Sequence, residues 1–201
     1  MARSESEQPS GDPTWGFRVF VVSFSAIARE QLDQALANLV QATLLELADI
    51  RHQEYREELS KRFKLDIVED ESLKNASDDR IREEFRTWMR NLGLNTTYDD
   101  EEVLSFSRIA SQLICLVLDE PTITTLATLT VGESKEDRKR LQTVTVRVID
   151  CDWRRLGEVE VGDTYRGVGK VSVVGLASLF EIVSSKDGFT RGLHPLNGMP
   201  T

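Results

Sequence analysis

The 201-residue sequence contains no apolar run that approaches the ~20 residues a membrane-spanning helix needs. Its polar amino-terminal stretch, MARSESEQPSGDPT, has neither the apolar segment of a secretory signal nor the arginine-rich pattern of a transit peptide. We therefore expect a soluble, intracellular protein of the cytoplasm.

The sequence contains fewer basic than acidic residues. The sequence has 25 Lys and Arg residues against 34 Asp and Glu residues, which gives a formal net charge of −9. A chain this acidic repels phosphate backbones and anionic lipid headgroups. No long basic face offsets the repulsion, so we expect neither a nucleic acid nor a membrane surface as a partner.

Cysteine and histidine are scarce as well. The two cysteines, Cys115 and Cys151, lie in apolar strand patterns, which favours reduced thiols in the core and leaves open a disulfide between neighbouring strands. The two histidines, His52 and His194, lie far apart in polar segments, so a Ser-His-Asp or Cys-His relay is disfavoured. The sequence also lacks a GxSxG, a Walker loop, a CxxC and a zinc-ligand spacing. No cofactor or metal is evident.

Turn-forming residues mark both ends of the chain. Residues 1–14 combine Pro and Gly with Ser and Glu, and we expect them to form a disordered tail. Residues 186–201 are rich in Gly, Pro and Asn without periodicity, and we expect an irregular carboxyl-terminal tail. The segment between them, residues 15–185, is long enough for one domain with a core of its own.

Strand and helix patterns alternate along this segment. Ser25 and Ser77 are suitable N-caps for two helices with an apolar face, Pro121 opens a third, and a closing helix follows from Leu176. The mixed-charge residues 132–141 predict a solvated loop. The alternation predicts an α/β domain with a central mixed or partly parallel sheet flanked by helices. Strands are expected at residues 18–24, 64–69, 113–118, 143–149 and 168–174.

Acidic residues follow two of the predicted strands. Asp119 and Glu120 come directly after the apolar run 113–118, and Asp150 and Asp152 follow the fourth strand. Ligands of open α/β sheets bind at the carboxyl ends of strands, and neighbouring strands would bring these carboxylates together. Four oxygen donors suit a hard cation such as Mg²⁺, and a close pair can divide acid and base roles. These acids are therefore candidate ligand-binding residues.

A structural role explains the same acids. Asp119 or Glu120 can simply cap the helix that Pro121 opens, because acids are common N-caps. Arg166 can meet an acid of the cluster, either as an anion site or as an ordinary ion pair. The sequence leaves both interpretations open.

Four short motifs stand out along the chain: Trp15-Gly16-Phe17, Phe85-Arg86-Thr87-Trp88, the apolar run into Leu118-Asp119-Glu120, and Asp150-Cys151-Asp152-Trp153. Together they resemble a set of small fungal proteins of unknown function. The resemblance spans residues 15–184 and implies an intracellular protein of fungal origin. It supplies no established activity, so no catalytic residue is carried over. Such proteins are sometimes encoded beside biosynthetic enzymes, which keeps a small-molecule role open.

Two functions follow from these observations. The missing nucleophile and cofactor motifs, with polar ends and acidic loops, favour a non-catalytic accessory or regulatory protein that acts through protein–protein contacts. The alternative is a small enzyme or ligand-binding protein, in keeping with a fungal biosynthetic pathway, that uses the strand-end acids. Magnesium is the cofactor that this alternative allows.

Overall fold

The computed structural model describes residues 14–48, 52–93, 110–151 and 167–184, and the structural statements below concern these residues. Five strands form one sheet: β1 (Trp15–Val21), β2 (Phe63–Val68), β3 (Ile114–Leu118), β4 (Thr145–Asp150) and β5 (Val168–Ser172). Six α-helices accompany it: α1 (Ala26–Leu47), α2 (Gln53–Arg62), α3 (Asp78–Asn91), α4 (Glu120–Ala127), α5 (Lys135–Thr143) and α6 (Leu176–Ser184).

The sheet is mixed, with the strand order β2-β1-β3-β4-β5. β1 runs parallel to both β2 and β3, whereas β4 is antiparallel to β3 and to β5. β3 is the central strand, and each of its five residues is buried. A strand covered on both faces requires an unbroken apolar run, which β3 has. The predicted α/β class, the mixed sheet and the helical layers are confirmed.

Alternate residues of β3 supply two cores. Ile114, Leu116 and Leu118 point to a core built with α1, α4 and α6, while Cys115 and Val117 point to a second core under α3. This division follows from the period of two along a strand. The α1 contribution repeats every three or four residues, which places it on one face of the helix. Its buried apolar residues are Ala28, Leu32, Ala35, Leu39, Ala42 and Leu47.

Both serine caps are confirmed. The Ser25 hydroxyl accepts the backbone N–H of Ala28 at 3.0 Å, and the Ser77 hydroxyl accepts that of Arg80 at 3.3 Å. Each bond satisfies one of the N–H groups that the first turn of a helix leaves without an internal partner. The two caps therefore fix where α1 and α3 leave the sheet.

The prediction of a solvated loop at residues 132–141 is wrong, because most of this stretch belongs to α5. Ser134 caps the helix by accepting the backbone N–H of Asp137 at 3.1 Å. Acids in the first turn and Arg140 in the last complement the helix dipole, and Leu141 is fully buried. One buried leucine and a good cap are enough to form a helix from an otherwise charged segment.

Two smaller boundaries also differ from expectation. β1 begins at Trp15, three residues earlier than predicted, and ends at Val21. The spacing of Ile81, Phe85, Trp88 and Leu92 predicts Leu92 on the apolar face of α3, yet Leu92 follows the last helical residue and is 56% exposed. The tails at 1–14 and 186–201, and a short helix that Val103, Phe106 and Ala110 predict at residues 102–111, fall wholly or mostly outside the described residues. Over the four described ranges, no helix has the length and apolar character needed to cross a membrane.

Candidate functional site

The carboxyl ends of β2, β1 and β3 lie along one edge of the sheet, because these three strands are parallel. The chain segments that follow these three strands are joined to one another by backbone hydrogen bonds. The N–H of Val22 donates to Leu118 O at 3.0 Å, and the N–H of Asn75 donates to Val22 O at 2.9 Å. We call this region, formed by Ser23, Asp70, Asn75, Asp119 and Glu120, the carboxyl edge.

Asp119 is the N-cap of α4. Its Oδ1 accepts the backbone N–H of Thr122 at 3.0 Å and the Thr122 hydroxyl at 2.6 Å. Pro121 lies in the first turn, where its missing N–H costs nothing. The capping role that the sequence offered for Asp119 is therefore confirmed, and one carboxylate oxygen is committed to it.

Glu120 connects the ends of β1 and β3. The Ser23 hydroxyl donates to Glu120 Oε2 at 3.3 Å, and the contact is half-buried. α1 and α4 both begin at this edge, so the partial positive charge of two helix ends favours a carboxylate here. Sequence reasoning missed Ser23, although its position just before the Ser25 cap was a usable signal.

The β2 end of the edge is fixed by short-range bonds. The backbone N–H of Ser72 donates to Asp70 Oδ1 at 2.8 Å, and this bond is the main cause that holds the pKa of the exposed Asp70 carboxyl below its usual value. Asn75 has a φ of 56°, in the left-handed region that asparagine tolerates better than most residues.

Asp150 lies at the opposite end of the sheet from Asp119. β4 is antiparallel to β3, and Asp150 pairs with Ile114, five residues before Asp119. At about 3.3 Å per residue, roughly 16 Å separates the two positions. The two strands are neighbours, but their acidic ends do not converge, because β4 runs in the reverse direction.

The backbone around Asp150 is held by a buried arginine. Arg82, only 4% exposed, donates from Nε to Asp150 O and from a terminal nitrogen to Gly167 O, both at 3.0 Å. Its other terminal nitrogen pairs with Asp79 at 2.6 Å. Arg82 therefore ties α3 to the ends of β4 and β5. Its spacing of three residues before the buried Phe85 was the sequence signal for this role.

The remaining candidates, Asp152 and Arg166, lie outside the described residues. Of the three predicted ligand-binding residues that the structure describes, Asp119 and Glu120 lie at the carboxyl edge and Asp150 lies at the far end. A ligand-binding role for each of them individually stays a prediction.

In the described residues, the polar side chains discussed above serve as helix caps, hydrogen-bond partners and ion-pair partners. In the four described ranges, no three or more His, Cys, Asp or Glu side chains come close enough together to hold a metal ion. A polar surface depression at the start of α2 is lined by His52, Gln53, Glu54 and Glu57, all from one segment.

Comparison with models of protein families, with curated proteins and with solved structures gave no match.

Proposed function

We propose that this protein is a non-catalytic accessory or regulatory protein of the cytoplasm that binds a protein partner along the outer edge of β2. The observation that carries the proposal is the position of β2 as the terminal strand of the described sheet. Backbone N–H and C=O groups on the outer side of a terminal strand have no sheet partner, and an extended peptide can pair with them.

The side chains of β2 suit such a contact. Leu65 and Ile67 are half-buried on one face, whereas Lys64 and Asp66 are exposed on the other. Arg18 of the neighbouring strand forms an ion pair with Asp66, and no ion pair engages Lys64 within the described ranges. The partner that fits is an extended segment with apolar residues at alternate positions and an acidic residue opposite Lys64.

The strand is anchored at its amino end. The Trp15 ring lies 4.6 Å from the Phe63 ring and 5.2 Å from the Phe180 ring, measured between centroids. The Trp15 indole N–H donates to Leu59 O at 2.7 Å. A strand held in place before binding loses less conformational entropy when a partner docks. The other terminal strand, β5, is shorter and contains Gly169, which weakens a strand as a template.

A random-peptide display library selected against the immobilised full-length chain tests the proposal. The enriched peptides should alternate apolar residues around an acid, and a bound peptide should slow hydrogen exchange at the amides of Phe63–Val68. Lys64→Glu should weaken binding at least about tenfold, a change of ~1.4 kcal/mol. Lys61→Glu is the matched control, because Lys61 is also exposed and the charge change is equal.

Three results would contradict strand addition at β2. One is a selection that enriches no peptide. Another is protection from exchange at amides away from β2. The third is equal weakening by Lys64→Glu and Lys61→Glu, which would indicate a general charge effect. Any of these results would rule out β2 as the surface through which the proposed accessory protein binds its partner.

The alternative is a ligand-binding protein or small enzyme that uses the carboxyl edge, and the Ser23–Glu120 contact supports it. A ligand that binds only the folded state raises the melting temperature. Mg²⁺ and a panel of small metabolites should then raise it for the wild-type chain and not for Glu120→Gln. No shift with any compound would remove the support for this alternative, while the peptide result is unaffected.

A further inference from the structure

The chain has two cysteines, and the fold brings them into contact. Cys115 is the second residue of β3, and Cys151 directly follows β4. Their Sγ atoms lie 3.5 Å apart, and the residues are 0% and 1% exposed. The two cysteines are reduced and not joined by a disulfide.

The strand register explains the contact. Cys115 pairs with Ile149 across the antiparallel β3–β4 ladder. Residues two apart on a strand share a face, so Cys151 lies diagonally across from Cys115 on the face that α3 covers. The N–H of Cys151 donates to Leu113 O at 2.9 Å, which extends the ladder one residue beyond β4.

Helix α3 holds the backbone at this point. Arg86 Nε donates to Cys151 O at 2.9 Å, one residue beyond the Asp150 carbonyl that Arg82 binds. The backbone of Cys151 is therefore held by β3 on one side and by α3 on the other. The short distance between the sulfurs results from this framework.

We propose that Cys115 and Cys151 form a modification site that is converted reversibly to an intramolecular disulfide, with a low-molecular-weight disulfide such as oxidised glutathione as the oxidant. The sulfurs must move from 3.5 Å to the ~2.05 Å of a disulfide bond. Diagonal neighbours across a ladder have Cα atoms ~7–8 Å apart, so closure needs a small shift of the backbone at the end of β4 as well as side-chain rotation. In the described ranges no third metal-ligating side chain joins the two thiols, and the Cys151 thiol also donates to Ile149 O at 3.6 Å.

The reaction is a two-step thiol–disulfide exchange. The Cys151 thiolate attacks one sulfur of the glutathione disulfide, whose S–S bond breaks and releases one glutathione thiolate. The Cys115 thiolate then attacks Cys151 Sγ and releases the second. Two cysteine thiols are oxidised, one glutathione disulfide is reduced to two glutathione molecules, and the two cysteine protons pass through solvent to them. Because both thiols are buried, exchange requires local opening at the end of β4.

Redox equilibration of the full-length chain tests the proposal. The protein is incubated in graded ratios of reduced to oxidised glutathione, in native buffer and in concentrated urea, then acid-quenched and alkylated. Mass spectrometry counts the remaining thiols and identifies the cross-linked Cys115–Cys151 peptide. The native disulfide should persist to a ratio about tenfold or more further towards the reducing side than the unfolded one, because the fold holds the sulfurs together.

Two results would overturn it. One is a native midpoint equal to the midpoint in urea or more oxidising. The other is a wild-type chain that accumulates only mixed disulfides with glutathione. Cys115→Ala and Cys151→Ala are the matched controls, and each should carry at most one glutathione and yield no cross-linked peptide. Both decisive readouts use the wild-type chain, so a variant that fails to fold does not weaken the test. The result of this experiment does not depend on whether a peptide binds at β2.

Discussion

The guanidinium carbon of Arg18 lies 4.2 Å from the centroid of the Trp88 ring, so a strand of the parallel half of the sheet is bound to helix α3 by a cation–π contact. The Arg18 side chain is only 15% exposed, and it also pairs with Asp66 of β2. Removal of water from such a contact strengthens it, because neither the cation nor the ring is then solvated.

A double-mutant cycle should detect this contact. Arg18→Met and Trp88→Leu, alone and combined, should give a coupling of about 0.5–2 kcal/mol in the free energy of unfolding measured with urea. Loss of the Asp66 ion pair is common to both Arg18→Met arms and cancels. Arg29→Met with Trp88→Leu is the control, because Arg29 is exposed on α1 and pairs with Glu71. That pair should be additive within about 0.5 kcal/mol. A coupling no larger than the control's would contradict the prediction.

Gly16 allows β1 and β2 to approach each other closely. Its φ is 142°, and a Cβ placed there would lie 1.8 Å from Lys64 O. Gly16→Ala should destabilise the protein by about 1–3 kcal/mol from backbone strain alone, with the clash in addition. It should also speed hydrogen exchange in β2.

Gly93 provides the matched control. Its φ of 71° also favours glycine, but in the described part of the chain no atom beyond its immediate neighbours lies within 4 Å of a Cβ built there. Gly93→Ala should therefore cost about 1–2 kcal/mol, the strain of the left-handed conformation without a clash. If Gly16→Ala were no more destabilising than Gly93→Ala in urea unfolding, the close approach to Lys64 would not matter.

Asp119 should behave as a cap in stability measurements. Asp119→Ala should cost about 0.5–2 kcal/mol, because Thr122 loses its acceptor. Asp119→Asn keeps an oxygen that can accept the same N–H, so it should remain close to wild type. Urea unfolding of the three proteins decides this. An asparagine variant as unstable as the alanine variant would show that the charge, and not the hydrogen bond, is what α4 needs.

The sequence predicts most elements because their signals are local. The Ser25 and Ser77 caps, the Pro121 helix start and the apolar run of β3 each depend on a few adjacent residues, and all four agree with the structure. The prediction for residues 132–141 failed because Leu141, the one buried residue of α5, is surrounded in sequence by charged residues. Packing of this segment against the rest of the fold makes it a helix, although its charged composition suggests a loop.

Strand direction was not predicted, and the candidate site depended on it. The placement of Asp119 and Asp150 at one edge required β3 and β4 to be parallel. A signal was present, since the first residues of β4 alternate buried valines with the more exposed Thr145 and Arg147, whereas β3 is buried throughout. Such alternation is typical of antiparallel strands. The likeness to small fungal proteins stays a prediction, because it depends on motifs and not on geometry.

Asn38 ties α1 to the carboxyl-terminal end of α4. Its side-chain amide donates to Leu126 O at 2.8 Å and to Leu129 O at 3.1 Å, and the residue is 6% exposed. Asn38→Ala should therefore cost about 1–3 kcal/mol in urea unfolding, because the buried Leu126 carbonyl and the half-buried Leu129 carbonyl lose their bonds to the amide. Gln41→Ala is the control, since Gln41 is exposed on the same helix and takes no part in the Asn38 contacts. It should change stability by no more than about 0.5 kcal/mol. Equal effects of the two substitutions would show that water replaces the Asn38 amide and that the α1–α4 contact rests on apolar packing alone.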